Sequence, residues 1–227
     1  PDHLMFWYYL NPLVIIELTG NLHFEGVMLF FFVWAMYLVF SHKWKWGAPV
    51  YALSILLKLV PLLFLPLFFK HLGLKKSLFF YTLVGLSCLA LLVPFYSPVF
   101  VENYGQTVGL WFSNFEFNAG IYNAIKYLGV EFFEAKPWIL VKSYGSLVPK
   151  LVIAAALLLT FLRKNEKPKI VLASMLFLLT FYYLLSSTVH PWYLVFLVLL
   201  GILADFRYPL VWSAVVILSY FAYSNTE

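Results

Sequence analysis

The chain has 227 residues, of which 63% are hydrophobic, 21% aromatic and only 11% charged, with a mean hydropathy of +0.89. A soluble domain is about one quarter charged, so no water-soluble fold could bury this much apolar surface; a cytosolic enzyme, a nucleic-acid-binding module and a secreted disulfide scaffold are excluded. The net charge of +5 then reads as basic cytoplasmic loops and not as affinity for an anionic polymer, and the lone Cys88, inside an apolar run, excludes an intrachain disulfide and reads as a small buried hydrophobe.

In chain order, apolar segments fall at about 4–18, 22–40, 48–69, 77–95, 144–162, 170–188, 191–203 and 208–224. Runs approaching 20 apolar residues match a hydrocarbon core about 30 Å thick. The pattern predicts an all-α, polytopic integral membrane protein forming one region over 1–227. It has about seven transmembrane helices, a proline-broken re-entrant segment and an external amphipathic helix.

The first connector, Leu18–Gly26, carries no Lys or Arg, whereas Ser41–Gly47 carries Lys43 and Lys45. Lys70, Lys75 and Lys76 follow the third segment; Arg163, Lys164, Lys167 and Lys169 follow the fifth; Arg207 sits in the last connector. The connector Ser186–Trp192 again has none. By the positive-inside rule the basic connectors are cytoplasmic and the others face outward. Both ends of 48–69 then lie inside. That segment also holds Lys58, Pro61 and Pro66, and each proline removes a backbone donor while a lysine at mid-depth costs about 2.5–3.5 kcal/mol. A hairpin that enters and returns on one side resolves both conflicts. A true span would place Arg163–Lys169 outside.

The long connector at about 96–143 lies outside on this assignment. Phe117, Ile121, Ile125 and Leu128 recur in it at helical spacing, which predicts an amphipathic helix on the outer surface.

The chemistry-bearing residues gather on the outward side. Glu17, Asn21, His23 and Glu25 fall within nine positions of NPLVIIELTGNLHFEG. Asn21 stands where a helix N-cap would and Glu25 in the first turn of the next helix, which is the purely structural reading. Glu17 follows the apolar run LVII, and ionisable groups at such depth mark a pathway or site. His190-Pro191-Trp192-Tyr193 joins two helices on the same side, with Pro191 suited to a first turn, and Glu116 and Asn118 form another outward polar pair. His, Glu and Asn could ligate a divalent cation, but no spacing fits a metal motif, and no GxxxxGK[ST], GxSxG or HExxH occurs.

The order NPLVIIELTGNLHFEGVML, ALSILLKLVPLLFLPLFF, FEFNAGIYNAIKYLG and HPWYLVFLVLLGIL resembles bacterial GT-C glycosyltransferases, and more narrowly the polyprenyl-phosphate-mannose-type mannosyltransferases. The matching positions are Asn11, Pro12, Glu17, Gly20, Asn21, His23 and Glu25; Lys58 and Pro61; and His190, Pro191, Trp192 and Tyr193. The resemblance implies a glycosyltransferase of the bacterial inner membrane with its active side outward. Its partners would be a polyprenyl-phosphate sugar donor and a lipid or glycan acceptor, with no nucleic acid. Glu17, His23 and Glu25 are the expected catalytic residues. Asn21, Glu116, Asn118, His190, Trp192, Tyr193 and Lys58 are the expected substrate contacts. The family carries an acidic motif in its first external loop; the aspartates here, Asp2 and Asp205, fall at expected cytoplasmic ends. The chain therefore reads as a C-terminal part without that loop. A glycan-lipid flippase or polymerase is the rival reading, since it would share the spans and the outward cluster.

Overall fold

A computed structural model of the chain describes residues 3–113 and 115–221. Every element among them is helical, apart from an isolated bridge between Phe117 and Thr188. The helices are α1 (His3–Tyr9), α2 (Pro12–Val14), α3 (Glu25–Phe40), α4 (Trp44–Leu57), α5 (Phe69–Leu72), α6 (Leu74–Leu92), α7 (Pro98–Ser113), α8 (Gly120–Phe133), α9 (Pro137–Leu162), α10 (Pro168–Leu185), α11 (Leu194–Ala204) and α12 (Tyr208–Val216).

The expected count of about seven spans is too high. Three helical stretches are long and apolar enough to cross a membrane, Leu74–Phe95, Pro137–Leu162 and Pro168–Leu185. The count is up to four if Pro12–Gly20 and Glu25–Phe40, bent by 110°, act as one broken span. Hydropathy sums residues regardless of backbone continuity, and the chain breaks its other apolar segments. The first breaks at Asn11, whose side chain accepts from the Leu13 and Val14 amides at 3.0 and 3.3 Å while Pro12 occupies the position that needs no donor. α2 then widens into a π-helical turn, Ile15–Gly20. The segment at 191–203 opens with a 3₁₀ turn at Pro191–Tyr193, and that at 208–224 passes into another at Ile217–Tyr220.

The lysine–proline segment folds back on itself. α4 ends at Lys58, whose backbone is extended, and the chain returns as the 3₁₀ stretch Val60–Phe68 and α5. The Tyr51 hydroxyl donates to the Pro61 carbonyl at 2.6 Å, and the Ser54 hydroxyl donates to the Met28 carbonyl of α3 at 3.0 Å. The first bond satisfies a carbonyl of the irregular returning stretch, and the second ties α4 to α3. Gly47 allows α4 to lie close on α3: a Cβ there would meet Val39 at 3.0 Å and the Ala35 carbonyl at 3.3 Å. Tyr51, Phe64, Phe68 and Phe80, with Phe32 of α3 and Phe196 of α11, form a fully enclosed aromatic core around the hairpin.

Both hairpin ends meet at one end of the molecule. The Phe40 and His71 rings touch edge to face at 5.2 Å. Lys70 donates to the carbonyls of Phe161 and Arg163, and His71 bonds the Glu166 carbonyl at 2.6 Å. Asp205 pairs with Lys169 at 3.1 Å. All four basic connectors thus share one end, as the charge pattern requires, and the hairpin tip reaches the other.

The connector at 96–143 contains two helices, and α9 begins at Pro137, before the expected 144. Ile121, Ile125 and Leu128 lie on α8 and are exposed, but Phe117 precedes that helix and is tied elsewhere. Cys88 is only half-buried, less enclosed than its apolar run suggests. Asp2 lies outside the described residues.

Candidate functional site

At the end opposite the basic connectors, four chain segments converge: the turn after the π helix, the hairpin tip, the 115–118 loop and the 186–193 connector. The π turn places Glu17 inward, where it is fully buried; such turns frequently occur at functional positions. One Glu17 oxygen, Oε2, receives the Asn21 amide at 3.0 Å and lies 3.2 Å from His23 Nε2. The other, Oε1, is buried with no hydrogen-bond partner among the described residues. Leu22, with a positive φ of 54°, turns the chain so that the His23 amide donates to the Glu17 carbonyl at 3.0 Å. His23 is therefore anchored to Glu17 by both backbone and side chain.

Asn21 does not cap α3. The residue preceding that helix is Phe24, which supplies no side-chain cap, and the Asn21 side chain turns back to Glu17. Glu25 does begin α3, yet its carboxylate is buried and accepts from Lys58 at the hairpin tip. Lys58 Nζ lies 4.9 Å from the centre of the Tyr193 ring, a cation–π distance. This places Lys58 away from Lys43 and Lys70, so it does not snorkel toward the basic end.

The two groups are joined by stacked rings. His23 stacks on Trp192 at 4.3 Å and 18°, Trp192 on His190 at 4.3 Å and 3°, and His190 on Phe117 at 5.0 Å and 20°. Both faces of Trp192 are thus covered by imidazoles. Phe117 is held by backbone bonds to Ser187 and Val189 at 2.9 and 2.8 Å, and the Asn118 amide reaches the Val189 carbonyl at 3.4 Å. Burial, then Lys58 and His23, hold the His190 imidazole below the usual histidine range, with Glu25 acting the other way.

Glu116 faces away from this stack. It accepts from Tyr122 at 2.6 Å and pairs with Lys126 at 2.5 Å. Partial burial alone would raise its carboxyl, but the hydrogen bonds from Lys126 and Tyr122 outweigh that and keep it below the ordinary range. Glu116 and Asn118 line a cleft of about 400 Å³ together with Phe117, Asn123, Leu218 and Ser219. The cavity beside Glu25, Lys58 and Tyr193 holds only about 70 Å³, room for a few waters and far below the roughly 300 Å³ of small-molecule pockets. Between α1 and α12 an apolar cavity of about 500 Å³ is lined by Trp7, Leu10, Leu210 and Ile217, with Asn11 and Ser213 bonded to each other at 2.9 Å in its wall. No group of three or more His, Cys, Asp or Glu side chains able to hold a metal ion is found among the described residues.

The sequence picked out both histidines, Glu17, Glu25 and Lys58, but not their pairing. By spacing alone Phe117 belongs to a helical stripe; its contact with His190 crosses more than 70 positions and leaves no local signal. Residues 2–72 match the family model described as MptA_B family, alpha-(1->6)-mannopyranosyltransferase, N-terminal domain. That stretch is mannosyltransferase-like, and it contains Glu17, Asn21, His23, Glu25 and Lys58. The matched domain is N-terminal by its description, so the expectation of a C-terminal part rests on the resemblance alone. No curated protein and no solved structure matches the chain.

Proposed function

We propose that the protein is a membrane glycosyltransferase of GT-C type that transfers mannose from a polyprenyl-phosphate carrier to an acceptor on the outer face of the membrane. The observation that carries this reading is the family match: the mannosyltransferase-like stretch supplies Glu17, Asn21, His23, Glu25 and Lys58 to one cluster. The linkage in the family's description makes the 6-hydroxyl of a mannoside the acceptor group. Displacement at the anomeric carbon needs a base for that hydroxyl and polar groups around the sugar and phosphate. Glu17 and His23, in contact with each other, and Glu25, paired with Lys58, are the proposed acid–base groups, and Asn21, Lys58, His190, Trp192 and Tyr193 the proposed substrate contacts.

The cavities support an amphiphilic donor. The polar cleft of Glu116 and Asn118 is wide enough for a sugar, and Leu218 and Ser219 on its wall directly follow Ile217, which lines the apolar cavity. An isoprenoid tail in the second would lie beside the first, which shares Phe117 with the ring stack. In this reading the basic end is cytoplasmic, the site end faces outward, and the hairpin of α4 and α5 is re-entrant.

The test is donor choice. Full-length protein reconstituted in proteoliposomes is expected to turn over polyprenyl-phosphate mannose and not GDP-mannose. Efficient transfer from GDP-mannose with no lipid carrier present would overturn the proposal.

A further inference from the structure

We infer that the groove between α1 and the start of α12 binds an anionic phospholipid, with its phosphate on Arg207 and its first acyl carbons against Leu4, Trp7 and Leu210. The inference does not rest on the mannosyltransferase reading, and it concerns the opposite end of the molecule from the clustered site.

The α11–α12 corner builds the groove. α11 closes at Asp205, whose positive φ of 67° reverses the chain, and the Phe206 amide donates to the Gly201 carbonyl at 2.8 Å. Pro209 packs where a side chain at Gly201 would stand. This tight turn sets Arg207 immediately before α12 and beside the first residues of α1. A cavity of about 410 Å³ lies between them, within the range of about 300–1,000 Å³ for ligand sites. Leu4, Trp7 and Leu210 give it an apolar wall, and His3, Asp205 and Arg207 are the polar residues that line it.

Charge decides the occupant. The Asp205 carboxylate is taken up by Lys169 at 3.1 Å, whereas the Arg207 guanidinium has no hydrogen bond or ion pair among the described residues. Other cations of this end are engaged: Lys70 donates to the Phe161 and Arg163 carbonyls, and Arg163 lies 4.9 Å from the centre of the Phe177 ring. The rim of the cavity thus sets Arg207 and Lys169 against one carboxylate, a net positive charge beside an apolar wall. A guanidinium fork matches two oxygens of a phosphate, and basic pockets at the ends of membrane helices bind anionic lipid head groups. A free phosphate would leave the apolar wall uncovered, and a hydrocarbon chain alone would leave Arg207 unmet. A phospholipid satisfies both. Through Trp7 and Leu210 the cavity adjoins the apolar one of about 500 Å³. A phospholipid entering from the basic end would therefore meet there a carrier tail entering from the other.

The experiment is native mass spectrometry of the full-length protein in detergent, titrated with palmitoyl-oleoyl phosphatidylglycerol. The wild type is expected to retain one such lipid, and Arg207→Gln to bind it about five- to tenfold more weakly. Lys164→Gln removes an exposed charge that does not line the cavity and should leave binding unchanged. Phosphatidylglycerol brominated on its chains, at one lipid per protein, should quench the tryptophan fluorescence of wild type more than that of Trp7→Phe. Equal binding of phosphatidylcholine, or an equal loss in Lys164→Gln, overturns the proposal in favour of general surface charge. Displacement of the lipid by inorganic phosphate overturns it in favour of a free-anion site, and competition on equal terms by polyprenyl phosphate reassigns the cavity to the carrier. Quenching that Trp7→Phe does not reduce, or a wild type that retains no lipid, also overturns it.

Discussion

Replacing Lys58 by Met isolates the charge at the hairpin tip. Met keeps the length of the side chain over Tyr193 but removes the ammonium from a Glu25 carboxylate whose side chain is 4% exposed. Breaking a fully buried ion pair from one side costs about 3–5 kcal/mol, whereas an exposed pair contributes about 0–1 kcal/mol. The Lys58 side chain is 32% exposed, so solvent screens part of the interaction, and a loss of about 2–3 kcal/mol is expected. At about 2–4 °C per kcal/mol for a chain of this size, Tm should fall by about 4–12 °C. Thermal unfolding in detergent micelles of Lys58→Met, Glu25→Gln and the double variant reads the coupling. The double variant leaves neither charge unpaired and should unfold above Lys58→Met. An unchanged Tm in Lys58→Met, or a double variant whose loss is the sum of the two singles, would refute the reasoning.

Tyr51→Phe removes the donor to the buried Pro61 carbonyl and should cost about 1–3 kcal/mol, read by the same unfolding assay. Gly201→Ala places a Cβ 2.6 Å from Pro209 Cγ and 3.0 Å from the Phe206 carbonyl, so the α11–α12 corner should lose about 1–3 kcal/mol. His190 is held below the usual histidine range by burial, so the unfolded chain binds more protons below pH about 6.5. Stability should therefore be fully present above that pH and fall on acidification, and His190→Asn should flatten that fall in an unfolding series across pH. In a Cys88→Ser background, cysteines at the exposed positions Leu22 and Lys167 should react with an impermeant maleimide from opposite sides of the membrane.

Much of this arrangement is legible in the residues. Apolar runs mark most of the helices, and the lysine clusters mark connectors that share one end of the molecule, because charge is a local property of each connector. Lys58, Pro61 and Pro66 announced the hairpin, since no continuous apolar helix accommodates all three. The span count was less legible, because hydropathy does not register the break at Asn11–Pro12 or the π turn that buries Glu17. Asn21 illustrates the same limit: an N-cap reading assumes an α-helical approach, and the π turn instead directs its amide back to Glu17. The Lys58–Glu25 pair joins residues 33 positions apart and the ring stack joins three separate segments. Such pairings follow from packing in three dimensions and have no period or spacing to betray them.

The most direct test of mannosyl transfer at the clustered end is its sidedness. Full-length protein is reconstituted in proteoliposomes with polyprenyl-phosphate mannose in the bilayer, and its orientation is fixed by maleimide labelling at Leu22→Cys. A membrane-impermeant mannoside acceptor is then supplied to one face at a time. The account predicts mannosylated product only when acceptor is on the face that exposes position 22. Product formed only from the face that exposes Lys167 would contradict it.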